Sequence, residues 1–369
     1  MRLIHCADIH LDSRMNANLS KEKAKERRTE LLHTFRRMVE YARTEGIDAI
    51  LIAGDLFDTR NVSATARNLV RDLITGHPEI DFYYLQGNHD EGSFAAGLQE
   101  IPENLHLFGE SWTSYPLDAT GKIVLTGVEL NEENVLGIYH TLTLDVQKIN
   151  LVMLHGQESE HRTREKEEII QLVELKNKGI DYLALGHIHS YKLERLDGRG
   201  VYCYPGCLEG RGFDECGEHG FVVLDIEEST GKIEQQFIPF ASRNLYAIPV
   251  DITGCGTTMD ILQRMQEQER KAGHSSRSLI KFELTGKVDV QSEKELDFLE
   301  AQFADSYYFV RVKDSSVYQV DYSQYELDMS LKGEFIRTVR GRTDICEEDK
   351  AAIIHYGIQA LAGEEIIEE

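Results

Sequence analysis

Ala49-Ile50-Leu51-Ile52-Ala53-Gly54-Asp55 is the stretch on which the fold turns. A short apolar run closed by glycine reads as a buried strand, and here a carboxylate follows the glycine at once. The same arrangement recurs along the chain. Leu3-Ile4 leads into Asp8-Ile9-His10, and Phe82-Tyr83-Tyr84-Leu85 into Gly87-Asn88-His89-Asp90. Leu151-Val152-Met153-Leu154 leads into His155-Gly156, and Tyr182-Leu183-Ala184-Leu185 into Gly186-His187-Ile188-His189. Ligands of open α/β sheets bind beyond the carboxyl ends of the strands. Strand ends that offer carboxylate, amide oxygen and imidazole together predict a cluster for divalent metal ions.

Helical patterns separate these strands. Thr29 to Glu45 carries Leu31, Leu32, Phe35, Met38 and Val39 on one stripe, Ser63 to Thr75 precedes the Phe82 strand, and Arg164 to Lys178 reads as a third helix. A β-rich stretch runs from Lys122 to Leu130. Short segments follow His189: Tyr191–Leu196, Gly200–Tyr204, Phe221–Ile226 and Lys232–Pro239. Strand–helix units followed by antiparallel strands predict an α/β sandwich of two sheets flanked by helices. The pattern changes near Ser242-Arg243-Asn244. Beyond it come β (Leu245–Ile252), α (Thr257–Lys271), β (Ser278–Leu284), α (Ser292–Phe303) and β (Tyr307–Val312), then helices over Tyr325–Val339 and Glu347–Leu361. The tail, Glu364 to Glu369, is expected to fray.

Composition narrows the function. With 369 residues and 41% hydrophobic content the chain can bury one large core and a smaller one. It has no run of about 18 apolar residues for a membrane span, and Met1-Arg2-Leu3-Ile4 leads straight into polar residues, so a cytoplasmic location is expected. Six cysteines are expected to stay reduced there; Cys203, Cys207 and Cys216 lack CxxC spacing and have Pro205-Gly206 between the first two. The net charge of −24 argues against a general nucleic-acid coat but leaves room for local basic patches. Residues 21–43 hold eight basic against four acidic side chains, which reads equally as a phosphate-facing stripe or as a solvated helix face. The absence of GxxxxGK[ST] means that any ATP dependence has to come from a partner.

The residue types fit metal-assisted phosphate chemistry. Asp8 and His10 share one turn, Asp55 sits on a tight glycine turn where a carboxylate can face two ions, and Asn88 adds a neutral oxygen that keeps the site open to anions. His155, His187 and His189 add neutral nitrogens, a mixed N/O set suited to Mn²⁺, Fe or Zn²⁺. Arg211, flanked by glycines in Pro205-Gly206-Cys207-Leu208-Glu209-Gly210-Arg211-Gly212, is a candidate for binding substrate phosphate. His140, His161 and His219 lie outside the strand-end pattern and read as surface histidines.

The ordered set Asp8-x-His10, Gly54-Asp55-Leu56-Phe57-Asp58, Gly87-Asn88-His89-Asp90, His155-Gly156 and Gly186-His187-x-His189 resembles the calcineurin-like metallophosphoesterase superfamily. Within it, the chain resembles the SbcD-type DNA repair exonuclease subunits. The opening His5-x-Ala7-Asp8-x-His10-Leu11-Asp12-Ser13 is similar to the YhaO-like branch. The motifs cover residues 1 to about 220, and Leu279 to Gly286 is similar to part of the capping domain of those nucleases.

That resemblance implies a four-layer α/β/β/α metallophosphoesterase sandwich over residues 1–243. It also implies a smaller α+β capping domain over 244–324 and a C-terminal helical segment, 325–369, for partner docking. It implies one ion held by Asp8, His10, Asp55 and His189, and a second by Asp55, Asn88, His155 and His187, with Mn²⁺ the expected metal. His89 would stabilise the scissile phosphate and protonate the leaving oxygen, and Asp58 would orient it. Some archaeal and eukaryotic relatives carry a second histidine where this chain has Asp58. The implied function is hydrolysis of DNA phosphodiester bonds by a metal-bridging hydroxide, in a complex with an SbcC-type coiled-coil ATPase. Leu327, Leu331 and Phe335 are candidates for apolar contacts with that partner, and a homodimer is a further option. The metal motifs equally allow a phosphoesterase for cyclic nucleotides or nucleotide conjugates. A scaffold for the ATPase is the third reading.

Overall fold

The structure is a computed structural model and describes residues 1–15, 19–58, 62–90, 100–135, 137–160 and 169–363. It divides into two compact units, Met1–Asn244 and Leu245–Glu369.

Two six-stranded sheets form the first unit. One runs in the order Lys232–Pro239, Gly220–Glu227, Arg2–Cys6, Ala49–Ala53, Asp81–Leu85, Leu105–Leu107. The other runs Lys192–Arg195, Val201–Tyr204, Tyr182–Gly186, Ile149–His155, Ile123–Gly127, Thr113–Pro116. The central strands are parallel and in step. Cys6 lies beside Ile52, Ala53 beside Leu85 and, in the second sheet, Gly186 beside His155. Equal registers bring the turns after these strands to a common edge in each sheet.

The central strands are apolar on both faces because both faces are covered. Leu3, Leu51, Tyr83, Leu125, Met153 and Tyr182 fill the space between the sheets. Ile4, Ile50, Ile52 and Phe82 turn the other way, onto the helices Lys21–Thr44 and Ala64–Gly76. Val152, Leu154 and Leu183 pack outward beneath the short helices Ile138–Thr141 and Leu172–Leu175. The result is a four-layer α/β/β/α sandwich. Its longest helix begins at Lys21, ahead of the predicted start, because Ser20 caps it by accepting the Lys23 N–H at 3.3 Å.

Part of the basic stripe on that helix is structural. Arg27 is buried and donates to Glu30 at 2.8 Å, to the buried Glu209 at 3.1 Å and to the Gly210 carbonyl at 3.0 Å. Arg37 donates to the Phe240 carbonyl, and Arg43 pairs with Glu40. The contacts of Arg27 and Arg37 fasten the helix to the segments around Glu209 and Phe240, while the Arg43 pair lies within the helix itself.

The predicted helix over Arg164 to Lys178 is corrected. Residues 161–168 lie outside the described set. After them Ile169–Gln171 is a strand paired in parallel with Gln157–Ser159, and only Leu172–Leu175 is helical. An apolar run this short satisfies either period, and the available strand edge decides it.

In the second unit a parallel sheet, Leu245–Asp251, Leu279–Thr285, Phe309–Asp314, carries the helices Thr258–Ala272 and Leu296–Phe303 over one apolar core. A smaller pairing of Lys287–Asp289 with Val317–Gln319 supports the helices Leu331–Arg340 and Glu347–Ala362 through Val290, Tyr325, Ile336, Val339 and Ile354. The long helix predicted from Tyr325 is interrupted. A 3₁₀ turn covers Tyr322–Tyr325, Asp328 accepts the Ser330 N–H, and Ser330 caps a new helix through the Gly333 N–H. Among the described residues no helix is long and apolar enough to cross a membrane.

Candidate metal centre

The strand ends converge. Asp8, His10, Asp55 and His187 adopt left-handed backbone, with φ of 50°, 48°, 52° and 101°. For non-glycine residues this is a costly conformation, characteristic of functional turns. Glycines make the approach feasible. A Cβ on Gly186 would lie 1.9 Å from the Ala53 carbonyl oxygen, and one on Gly87 would lie 2.2 Å from Asp55 Oδ1.

Asp55 lies at the centre. Its Oδ2 stands 3.7 Å from His10 Nε2 on one side and 3.5 Å from His155 Nε2 on the other. Its Oδ1 accepts the His89 N–H at 3.0 Å. The Nε2 atoms of His10 and His189 are 3.3 Å apart, and Asn88 Oδ1 is 3.1 Å from His155 Nε2. Asp8 accepts the His187 N–H on both oxygens, at 2.9 and 3.0 Å, and the His187 ring meets the His155 ring edge-on. The His89 ring is exposed and packs edge-on against His10, with ring centres 5.2 Å apart.

Among the described residues, three sets of ligand atoms lie within 4.8 Å of one another: Asp8, His10 and His189; His10, Asp58 and His89; Asp8, Asp55 and His155. Burial and charge make these groups depend on one another. Burial pushes the His155 imidazole down, but the adjoining Asp55 carboxylate outweighs it and raises the group to about 9. Burial likewise opposes ionisation of Asp55, while His155 and His10 hold its carboxyl far below the usual range. Imidazole nitrogens that converge on a shared carboxylate oxygen form a donor set suited to divalent cations, so the residues fit metal binding.

The family model for calcineurin-like phosphoesterases matches residues 1–191. The chain belongs to the calcineurin-like phosphoesterase family. It is 28% identical over 248 residues to the uncharacterized metallophosphoesterase YhaO of Bacillus subtilis, covering 64% of this chain and 60% of that protein. It is 22% identical over 325 residues to the DNA double-strand break repair protein Mre11 of Sulfolobus acidocaldarius, covering 82% of this chain and 79% of that protein. A protein of known crystal structure from Thermus thermophilus is 15% identical, with a TM-score of 0.41 over 64% of this chain and 98% of that one. The chain thus spans about three-fifths of the length of its YhaO relative.

In this calcineurin-like phosphoesterase, the residues singled out in the sequence lie around one centre. Asp58 turns its Oδ1 to Arg211 Nη1 at 3.0 Å and to His10 Nδ1 at 3.2 Å, while remaining in one group with His89. Arg211 is thereby fixed at the edge of the centre. Of the other histidines, His140 is exposed, His161 lies outside the described residues, and His219 is a correction. It is buried, with Nδ1 3.3 Å from Cys207 Sγ and Nε2 2.8 Å from the Glu215 carbonyl, because the loop after Arg211 folds back over it.

Two residues without an assigned role prove to shape the site. Asp90 accepts the N–H groups of Leu56 at 3.1 Å, Phe57 at 2.8 Å and Gly87 at 3.1 Å, tying two strand-end turns together. Burial, then the nearby Asp55 charge, raises its carboxyl to about 6. Its position beside Gly87-Asn88-His89 was the available signal. Glu215 reaches His189 from a distant loop, and only its spacing of four from Arg211 hinted at a contact.

Proposed function

We propose that this chain is a two-metal-dependent phosphodiesterase that hydrolyses DNA, the nuclease subunit of an assembly with an SbcC-type coiled-coil ATPase. The observation that carries this reading is the single Asp55 oxygen facing both His10 and His155. Asp8, His10, Asp55 and His189 would hold one ion, and Asp55, Asn88, His155 and His187 the other, with Mn²⁺ the expected metal. When bound, two such ions supply a water of lowered pKa as nucleophile and offset charge on the phosphate.

The chain's own residues do the rest. His89 is held by its backbone against Asp55 with its ring toward solvent, where it can protonate the leaving oxygen. Asp58 and Arg211 brace the rim beside it, and the guanidinium places a positive charge there for a phosphate. The relatives named for DNA double-strand break repair support DNA as substrate. The net charge of −24 supports a partner that supplies much of the DNA-binding surface.

The test compares labelled linear duplex, hairpin and single-stranded DNA with bis-p-nitrophenyl phosphate and cyclic nucleotides in Mn²⁺. His89→Ala serves as the blank and is expected to lose on the order of 10²–10⁴ in kcat. Turnover of the small esters without any DNA cleavage would sink the nuclease assignment and leave the phosphoesterase for small substrates.

A further inference from the structure

Glu215 makes more contacts with the centre than any role considered so far explains. It is buried, and its Oε1 lies 2.7 Å from His189 Nδ1. The same oxygen accepts from Arg211 Nε at 3.1 Å and Nη2 at 2.9 Å, while Oε2 accepts the Arg211 backbone N–H at 2.7 Å. Cys207 Sγ approaches Oε2 at 3.7 Å, and Arg211 Nη2 lies 3.1 Å from the same His189 nitrogen. One carboxylate thus meets a ring that faces the metal centre and a guanidinium at its rim.

A carboxylate oxygen at this distance favours the tautomer protonated on Nδ1, which leaves the lone pair on Nε2, the atom that points at His10. His155 is oriented differently. Its Nδ1 faces the neutral Ala53 carbonyl at 2.9 Å. A carboxylate behind an imidazole raises its basicity as a ligand more than a carbonyl does. The two halves of the centre are therefore backed unequally.

We propose that Glu215 is a positioning residue that strengthens one of the two metal sites, the one served by His189, and in the same step aims Arg211 at the substrate phosphate. This rests on the two-metal reading above. A residue that only held the loop would weaken both sites alike or neither. Glu215 is expected to act on one affinity and on substrate binding together.

The experiment titrates Mn²⁺ calorimetrically into the full chain and measures kcat and KM for bis-p-nitrophenyl phosphate. The wild type should show two binding events. Glu215→Gln, close to isosteric, should lower one affinity roughly 10-fold and Glu215→Ala up to about 100-fold, with the other unchanged. Both should raise KM. Arg211→Gln should raise KM while leaving both affinities in place. The inference is overturned if folded Glu215→Gln binds Mn²⁺ as the wild type does, or loses both affinities equally. A wild type that binds no Mn²⁺ would instead remove the two-metal reading, and this inference with it.

Discussion

Gly186 shows how narrowly single residues set this centre. It precedes His187 on a strand level with His155, and the space for its missing side chain is filled by the Ala53 carbonyl and the His155 ring. The two sheets meet there at backbone distance. Gly186→Ala should therefore destabilise the chain by about 1–3 kcal/mol through overpacking, read as a lower midpoint in a urea melt. An unchanged midpoint would mean that the sheets separate freely at this point. The residues that converge on this centre were legible in the sequence because each follows a buried strand on a short turn. Glu215 and His219 were not, since a loop contact across the fold leaves no periodic trace. Asp90 stood in plain view, but its backbone acceptor role needs the adjacent turn of Leu56 and Phe57, which only the tertiary structure brings within reach.

Among the elements, the strands were the most readable. Both faces of the central ones are covered, so they are uniformly apolar and end sharply. Shorter elements were ambiguous, as Ile169–Gln171 and the interrupted helix after Tyr325 show. His5, the fourth residue of the Arg2–Cys6 strand, links one sheet to the other through Nδ1 and the Tyr182 hydroxyl at 2.8 Å. Burial lowers its imidazole to about 3 from an ordinary 6.5. Between those values the unfolded chain binds a proton that the folded chain does not. Stability therefore falls as pH drops below 6.5 toward 3, by about 1.4 kcal/mol per pH unit for this one group. His5→Phe removes that titration and should lose about 2 kcal/mol less than the wild type between pH 7 and pH 5. Equal losses in the two chains would show that His5 does not remain neutral in the fold.

At the scale of the whole molecule, apolar side chains stand exposed ahead of the last two helices. Of the three candidates for partner contacts, Phe335 packs inward against the core beneath the last two helices. Leu327 and Leu331 are 91% and 68% exposed, and Met329 between them is 93% exposed. A solvated apolar cluster of this kind contributes little to the chain's own stability and suits a partner surface. Changing Leu327, Met329 and Leu331 together to serine should leave the thermal midpoint within about 2 °C, since surface changes cost within about 0.5 kcal/mol. In the assembly proposed above, the same change should abolish co-purification with the coiled-coil ATPase. Retained co-purification would move the docking surface elsewhere.

The sequence by itself determined the two-sheet sandwich, its central strands and the residues that end them. Burial and turn chemistry are local, and they leave their pattern in consecutive residues. Only the tertiary structure decided that one oxygen of Asp55 faces two histidines, that Arg211 braces Asp58, and that Glu215 stands behind His189. Those relations join residues from different turns, and their distances depend on strand register and sheet packing, which no local pattern encodes.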